Sequence, residues 1–425
     1  MDTGKETAGS TRYAQRTADG KFVVGGVKLD RPFQIRRFGH FGFNCYDYDA
    51  ARRFYTDLLG FEIADERDLS FRLTPEQKAK LDALGAPAKM CFTRYGTDHH
   101  ACVLASRHFR EMTRPVDPSM KDITINQITW QVGSLAEIGD TIPWLKEQGI
   151  PILRAGRDMP GSNWHVYFPD PDGHTIELYW GIEQIGWNGL AKPLSMYDRA
   201  FEESPSLPQM SEFDEVQQAI ADGKNILEGV RYTDRPERRF DVQGSLLPRP
   251  FKVVRIGPVR LFVADVARSV AFYTRIAGFS LTEETDYKGH RCAFLRAAGE
   301  HHCLALYPKT LRGDLGLSAH STCLSVGMQV ANYQQLRDAK AYFREQGGRL
   351  LDLPAALFPG IDYAFIVEDP EGHRIQLYHR VEQVGWDGRP RPAAARCTPA
   401  PEPWPDAIEA APDVFMGEPY LGPWG

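Results

Sequence analysis

The sequence lacks any Cys-x-x-Cys pair, and its seven cysteines are an odd number. That pattern gives no sign of a disulfide framework. Most of the cysteines stand in apolar, strand-like runs, which predicts reduced thiols in a core. None has neighbours that would lower the pKa of its thiol, so the sequence does not favour a catalytic cysteine.

Long apolar runs and basic stripes are also missing. No run approaches the roughly 18 residues that span a bilayer, and residues 1–20 are polar without a hydrophobic signal core. The net charge is -6, and lysines and arginines are scattered among acidic residues. This pattern argues against a nucleic-acid or membrane partner. We therefore expect a cytoplasmic protein that acts on a small molecule.

The chain does contain a ten-residue segment that occurs twice. It reads DPDGHTIELY at residues 170–179 and DPEGHRIQLY at residues 369–378. Both copies predict the same turn followed by a strand, because Pro and Gly suit the turn positions. Residues that the copies share are best explained by folding. Residues that differ, above all Glu177 against Gln376, are candidates for chemistry.

Two larger units are repeated in the same way. Residues 38–61 recur as 256–279, and each copy reads as a strand, then a helix that ends at a glycine, followed by β-rich runs. A second unit, 123–179, recurs as 322–378 with a strand, an amphipathic helix and the turn described above. The sequence thus predicts an α+β protein of four β-α-β-β-β modules in two paired halves.

With these modules the chain resembles the vicinal oxygen chelate superfamily, which contains glyoxalases, bleomycin resistance proteins and dioxygenases. Its four-module length resembles the two-domain type I extradiol ring-cleavage dioxygenases. The resemblance implies two open barrels, one of which holds a divalent metal. It divides the chain into an N-terminal extension (1–34), an N-terminal domain with the metal site (35–182), a structured linker (183–250), a degenerate, metal-free C-terminal domain (251–388) and a tail (389–425).

Positions carried over from the family imply His40, Gln127 and Glu177 as metal ligands. The corresponding positions of the second half hold Pro258, Ser325 and Gln376, which are poor ligands for a divalent metal. The ring-cleaving enzymes place a second histidine where this chain has Gln127. A Gln carbonyl can ligate more weakly, as in some glyoxalases, so this difference lowers the expected affinity for iron.

The family also implies residues for catalysis. His99 and His100 fall where ring-cleaving enzymes keep a proton-transferring histidine, although the second half repeats the pair as His301 and His302. Strand alternation predicts that only one of them faces the barrel, and we chose His99. Tyr167, ten residues before Glu177, matches a tyrosine that bonds the oxygenated intermediate. Further candidates are His165, which shares its strand parity, and two tryptophans suited to a planar substrate, Trp130 and Trp164.

The resemblance therefore implies a non-haem Fe(II) dioxygenase that cleaves a catechol-like aromatic with vicinal oxygens, using O2. Mn, Zn or Ni are alternative metals. A glyoxalase-like lyase or isomerase is the chief alternative function, and a ligand-binding protein without catalysis is another. The family and the aromatic tail also suggest a homo-oligomer.

Overall fold

The computed structural model describes residues 16–114, 117–159, 161, 164–185, 188–197, 199–201, 206–231 and 237–409. Two mixed β-sheets, each curled into an open barrel with helices on its outer side, form the body of the molecule. The predicted α+β architecture of paired modules in two halves is confirmed. No helix among these residues is long and apolar enough to cross a membrane.

The N-terminal half starts with a hairpin of β1 (Phe22–Val24) and β2 (Val27–Leu29). Its sheet has the strand order β11-β8-β9-β10-β7-β3-β6-β5-β4. These strands are β3 (Arg37–Cys45), β4 (Glu62–Asp68), β5 (Lys89–Arg94), β6 (Cys102–Ser106), β7 (Ile125–Gln131), β8 (Arg154–Arg157), β9 (Trp164–Pro169), β10 (Thr175–Trp180) and β11 (Arg199–Ala200). The helices are α1 (Tyr48–Arg53), extended by a π-helical turn (Phe54–Leu58), α2 (Pro75–Ala83), α3 (Arg107–Thr113) and α4 (Leu135–Glu147).

The linker contributes α5 (Glu212–Ala221) and a second hairpin of β12 (Phe240–Val242) and β13 (Ser245–Leu247). The C-terminal sheet then has the order β15-β16-β17-β14-β18-β21-β20-β19. Its strands are β14 (Val253–Val263), β15 (Ser280–Tyr287), β16 (His290–Arg296), β17 (Leu304–Pro308), β18 (Cys323–Val330), β19 (Arg349–Leu351), β20 (Ala364–Glu368) and β21 (Arg374–Tyr378). The helices are α6 (Val266–Phe272), extended by a π-helical turn (Tyr273–Ala277), α7 (Lys309–Asp314) and α8 (Tyr333–Glu345).

The repeated turns hold the two halves together, because each turn contacts the opposite half. Asp170 accepts hydrogen bonds from His174 within its own turn and from the Tyr273 hydroxyl of the other half, at 2.9 Å each. Asp172 accepts a hydrogen bond from the backbone N–H of Ala264, next to the start of α6 (2.8 Å). Glu371, its counterpart, accepts from the backbone N–H groups next to α1. Asp170 and His174, which the copies share as Asp369 and His373, thus take part in packing at the contact between the halves.

Six of the seven cysteines are buried, and all seven are free. Burial raises the pKa of several of these thiols, including that of Cys45, which fits the expectation of inert core thiols. Cys397 is the exception, since it lies exposed in the tail. In the same tail, the Trp404 ring packs 5.3 Å from the ring of Tyr363, so this part of the tail docks on the body.

Candidate active site

One row of residues crosses five neighbouring strands of the N-terminal sheet. Arg154 on β8 pairs with Tyr167 on β9, and Tyr167 pairs with Glu177 on β10. Glu177 in turn pairs with Thr129 on β7, and Thr129 pairs with His40 on β3. Cross-strand partners point to the same face of a sheet, so residues far apart in the sequence meet on one face.

Glu177 lies at the centre of this row. Its side chain is 1% exposed, and one carboxylate oxygen lies 3.0 Å from Nε2 of His40 and accepts a 2.8 Å hydrogen bond from the Thr129 hydroxyl. The other oxygen lies 3.8 Å from Nδ1 of His165. Burial alone would raise the pKa of Glu177, but the interactions with His40, His165 and Thr129 outweigh it and lower that pKa. The carboxylate is therefore ionised at neutral pH.

A cavity of about 600 Å³ opens beside this carboxylate, which is the size of a small-molecule site. Gln127 lines the cavity with Glu177, because residues 127 and 129 share the inward face of β7. His165 and Tyr167 also line it, as their predicted strand parity requires. The described lining is completed by Leu69, Arg72, Lys89, Met90, Phe92, His100, Val103, Ala105, Ser106, Phe109, Arg110, Thr113, Arg114, Asn126, Leu153, Arg154, Met159 and Thr175.

The histidine pair is arranged differently from the prediction. Strand β6 begins only at Cys102, so His99 and His100 lie in the preceding loop and strand alternation does not apply to them. His100 lines the cavity, and its ring centroid is 4.2 Å from that of His40. His99 is not part of the described lining; it packs against Phe92, and its Nδ1 lies 3.1 Å from Nδ1 of His100. His100 therefore replaces His99 as the candidate that faces the cavity.

The two tryptophans lie outside the described lining of the cavity. Trp130 has the opposite strand parity to Gln127, so it points into the core, where its ring contacts Phe38 and Phe279 at 5.1 and 4.8 Å. Trp164 is buried against Phe201 at 5.6 Å. The prediction that these two rings bind substrate is therefore corrected. Among the described residues, Phe92, Phe109 and Tyr167 are the phenyl and phenol side chains that line the cavity instead.

The second half lacks the donors of this row. Its equivalent residues on β19, β20, β21 and β18 are Leu351, Ile366, Gln376 and Gly327. Arg260 fills part of the interior of this half, where the first half has Gly42, because Arg260 pairs with Ser325 as Gly42 pairs with Gln127. Its wholly buried guanidinium donates a 3.2 Å hydrogen bond to the Ser325 hydroxyl. A fixed cation in this position opposes the binding of a metal cation.

Sequence reasoning missed Thr129 and Arg154. Both differ from the copy, in which Gly327 and Leu351 stand at the paired positions. The comparison that selected Glu177 could therefore have found Thr129, whose parity equals that of Gln127. Asp158 was also missed; one of its carboxylate oxygens lies 3.2 Å from Nε2 of His165.

The donor set suits a divalent metal, although the described residues contain no group of three His, Cys, Asp or Glu side chains that could hold one. His40 and Glu177 supply a buried imidazole and a buried carboxylate, and His40 Nδ1 has no hydrogen-bond partner among the described residues. Gln127, which lines the cavity together with Glu177, offers its side-chain oxygen as a third donor. The fit therefore rests on two strong donors and one neutral amide.

Comparisons with known proteins agree with this architecture. The family model of the Glyoxalase/Bleomycin resistance protein/Dioxygenase superfamily matches residues 37–178 and 255–377. The catechol-2,3-dioxygenase of Bacillus subtilis (strain 168) is 23% identical over 261 residues, which cover 60% of this chain and 68% of that relative.

Solved structures show the same fold at low identity. The 2,3-dioxygenase LapB from Pseudomonas sp. KL28 aligns with a TM-score of 0.53 and 14% identity, over 84% of this chain and 96% of that one. The Mn(II)-bound glyoxalase from Novosphingobium aromaticivorans aligns with a TM-score of 0.51 and 14% identity, over 84% and 85%. With its two matched halves, the chain belongs to the Glyoxalase/Bleomycin resistance protein/Dioxygenase superfamily.

Proposed function

We propose that this chain is a metal-dependent, extradiol-type dioxygenase that cleaves a catechol-like ring with vicinal oxygens. The observation that carries the proposal is the buried His40–Glu177 pair beside a cavity of the first half that Glu177 and Gln127 line. The second half has Pro258, Ser325 and Gln376 at the corresponding positions. The similarity to a catechol-2,3-dioxygenase supports the reaction class.

His40, Glu177 and Gln127 would hold the metal, with Fe(II) as our first choice and Mn, Zn or Ni as alternatives. The metal held by these residues would supply Lewis-acid and redox chemistry for a substrate with vicinal oxygens and for O2. Thr129 keeps the Glu177 carboxylate in place through its hydrogen bond. The buried position of Glu177 and His40 keeps bulk water away from the ligands.

His100 is proposed to accept a proton from a substrate hydroxyl. Burial, together with the nearby His40, lowers the pKa of His100 well below its usual value, so the ring is neutral at neutral pH and has an unprotonated nitrogen that can accept a hydrogen bond from the substrate hydroxyl. His99 lies within hydrogen-bond distance of His100 and would orient its ring. We therefore give His99 a positioning role.

Tyr167 is proposed to donate a hydrogen bond to the reacting oxygen atoms. Burial and the neighbouring Glu177 raise the pKa of Tyr167, so its hydroxyl keeps its proton at neutral pH. His165 lies between Asp158 and Glu177, at 3.2 and 3.8 Å from their oxygens. Its ring would help to orient the Glu177 carboxylate beside the metal.

Substitution of Glu177 tests the proposal. We expect Glu177→Ala to remove bound metal and catechol-dependent O2 uptake, because it deletes the only carboxylate among the described cavity residues. Gln376→Ala changes the equivalent position of the second half and should leave both unchanged. Elemental analysis of protein purified without chelators and an oxygen electrode provide the measurements, with circular dichroism as the check on folding.

Two results would contradict the proposal. One is a folded Glu177→Ala variant that retains stoichiometric metal and turnover. The other is wild-type protein that holds no metal, even after anaerobic reconstitution with Fe(II), which would favour a ligand-binding protein.

A glyoxalase-like lyase or isomerase is the second candidate, because Gln127 stands where the ring-cleaving enzymes have histidine. Such an enzyme would use its metal to stabilise an enediolate and would consume no oxygen. Turnover of a hemithioacetal, the adduct of a thiol with an α-keto aldehyde, without O2 uptake would support this function over the dioxygenase. Location in the cytoplasm and self-association remain predictions.

A further inference from the structure

The cavity has a charge pattern unlike that of the whole chain. The protein has 50 basic and 56 acidic residues, so an average surface would carry slightly more carboxylates than cations. The described lining instead holds one carboxylate, Glu177, and five cationic side chains: Arg72, Lys89, Arg110, Arg114 and Arg154.

These cations come from separate parts of the fold. Arg72 belongs to a 3-10 turn (Ser70–Arg72), Lys89 to β5 and Arg154 to β8, while Arg110 and Arg114 come from α3 and the residue after it. Arg72 and Arg114 are exposed, whereas Glu177 is buried. Arg72 and Arg114 therefore lie at the mouth of the cavity and Glu177 at its inner end, while Lys89, Arg110 and Arg154 are partly buried between them.

Among these five cations, Arg110 has the fewest contacts that compensate for the burial of its charge. Its side chain is half-buried and forms no ion pair or hydrogen bond among the described residues. Burial lowers the pKa of Arg110 to about 10, and the like-charged Arg114 and Arg154 contribute to this shift. Arg154, by contrast, lies 3.6 Å from the Asp158 carboxylate and 4.5 Å from the centre of the Tyr167 ring.

We propose that the substrate carries an anionic substituent, which Arg110 binds in the cavity while the vicinal oxygens point to Glu177 and His40. This inference rests on the proposed function for the orientation of the ring, but the anion site itself does not. A half-buried guanidinium that lacks a counter-ion is costly, and an anion offsets that cost. The planar guanidinium also matches a carboxylate in geometry.

Two ring compounds of nearly equal shape provide the kinetic test: 3,4-dihydroxybenzoate, which is anionic, and 3,4-dihydroxybenzamide, which is neutral. We expect the wild-type protein to prefer the benzoate in kcat/KM. Arg110→Met should reduce kcat/KM for the benzoate about 10- to 100-fold and change that for the benzamide little, since a charge-assisted hydrogen bond contributes this much. Arg268→Met, at an exposed arginine on α6, is the control and should change neither.

Binding without turnover provides a second readout. Chelator-treated protein should bind 4-hydroxybenzoate more tightly than 4-hydroxybenzamide in ligand-observed NMR. Binding of the benzoate should weaken in Arg110→Met, and it should weaken between about 0.05 and 0.5 M NaCl, because salt screens the charges.

The outcomes separate the two proposals. Equal binding of both compounds, or an equal effect of Arg110→Met on both, overturns the anion site. If neither catechol is turned over but benzoate binding still depends on Arg110, the dioxygenase proposal fails and the anion site stands. Turnover of the benzamide at the rate of the benzoate, in wild type and variant alike, leaves the dioxygenase standing and overturns the anion site.

Discussion

At the scale of single residues, the candidate site depends on how one buried carboxylate is held. Glu177 is ionised because His40, His165 and Thr129 together outweigh the effect of burial on its pKa. Thr129 is the member of this group without an ionisable side chain, and its hydroxyl is a donor that the copy, with Gly327, lacks. Partners that bond to a metal ligand affect metal affinity nearly as strongly as ligands do.

Thr129→Val keeps the shape of the side chain and removes the hydrogen bond to Glu177. We expect metal affinity to fall about 10- to 100-fold, because the carboxylate is less well oriented and its pKa rises. Thr129→Ser retains a hydroxyl and should restore most of the affinity. Competition titrations with a coloured chelator measure the effect, and a valine variant with wild-type affinity would refute this role.

Comparison of the repeats also acts at the residue scale. It selected His40, Glu177 and Tyr167 because the second copy has Pro258, Gln376 and Ile366 at these positions. The pairing of the strands then places His40, Glu177 and Tyr167 in one row. Strand alternation, which was used to choose between His99 and His100, does not apply to that pair because both residues lie in a loop. The direction of a loop side chain depends on contacts with distant segments and not on parity.

At the scale of elements, a hairpin precedes each barrel, and an arginine after each hairpin contacts the other half. The hairpin β1–β2 precedes the first barrel, and Arg31 at its end donates a 3.3 Å hydrogen bond to the backbone carbonyl of Gly278 in the second half. The hairpin β12–β13 precedes the second barrel, and Arg249 donates to the carbonyl of Asp57 in the first half at 3.1 Å. The hairpins were not predicted, because their short strands lie outside the modules that the resemblance covers.

Gly278 is the clearest test of this docking. Gly278 follows the π-helical turn that extends α6 and has φ +81°. A Cβ added at this position would clash with the guanidinium carbon of Arg31. Gly278→Ala should therefore reduce the free energy of unfolding by the cost of the left-handed conformation, about 1 kcal/mol, and further by the displacement of Arg31.

Gly223→Ala is the matched control for that substitution. Gly223 has φ +73° with no atom within 4 Å of the added Cβ, so only the conformational cost applies. Urea unfolding should show a larger loss for Gly278→Ala than for Gly223→Ala. Equal losses would mean that Arg31 contributes nothing at this contact.

At the scale of the whole molecule, the two cores bury several neutral histidines. Burial is the largest cause in each case, and it lowers the pKa of His99 to about 3 and that of His379 to about 4. The pKa values of His100 and His302 are also well below the usual range. Burial acts in the same direction on His174, but the Asp170 carboxylate outweighs it and raises that pKa.

Protein stability should therefore fall in mild acid. The unfolded chain binds these protons near pH 6.5, whereas the folded protein binds those of His99 and His379 only near pH 3 to 4. The unfolded state thus gains protons as the pH falls below about 6.5, and each histidine lowers the free energy of unfolding by up to about 1.4 kcal/mol per pH unit. Urea unfolding between about pH 5 and 8 measures this slope.

His302→Asn removes one of these groups from the second half, away from the candidate site. Its unfolding free energy should depend less steeply on pH than that of the wild-type protein, whatever its absolute stability. A wild-type profile that stays flat from about pH 7 to 5 would contradict the assignment of neutral buried histidines.

The sequence by itself determined the four modules, the family and the half that keeps the candidate metal ligands, because strand alternation and repetition are local properties of the chain. Tertiary structure alone decided that His100 lines the cavity, that Trp130 points into the core and that Arg260 occupies the second barrel. Tertiary structure also determined that five cationic side chains line the cavity. These outcomes depend on which distant segments come into contact, and no short stretch of sequence encodes that.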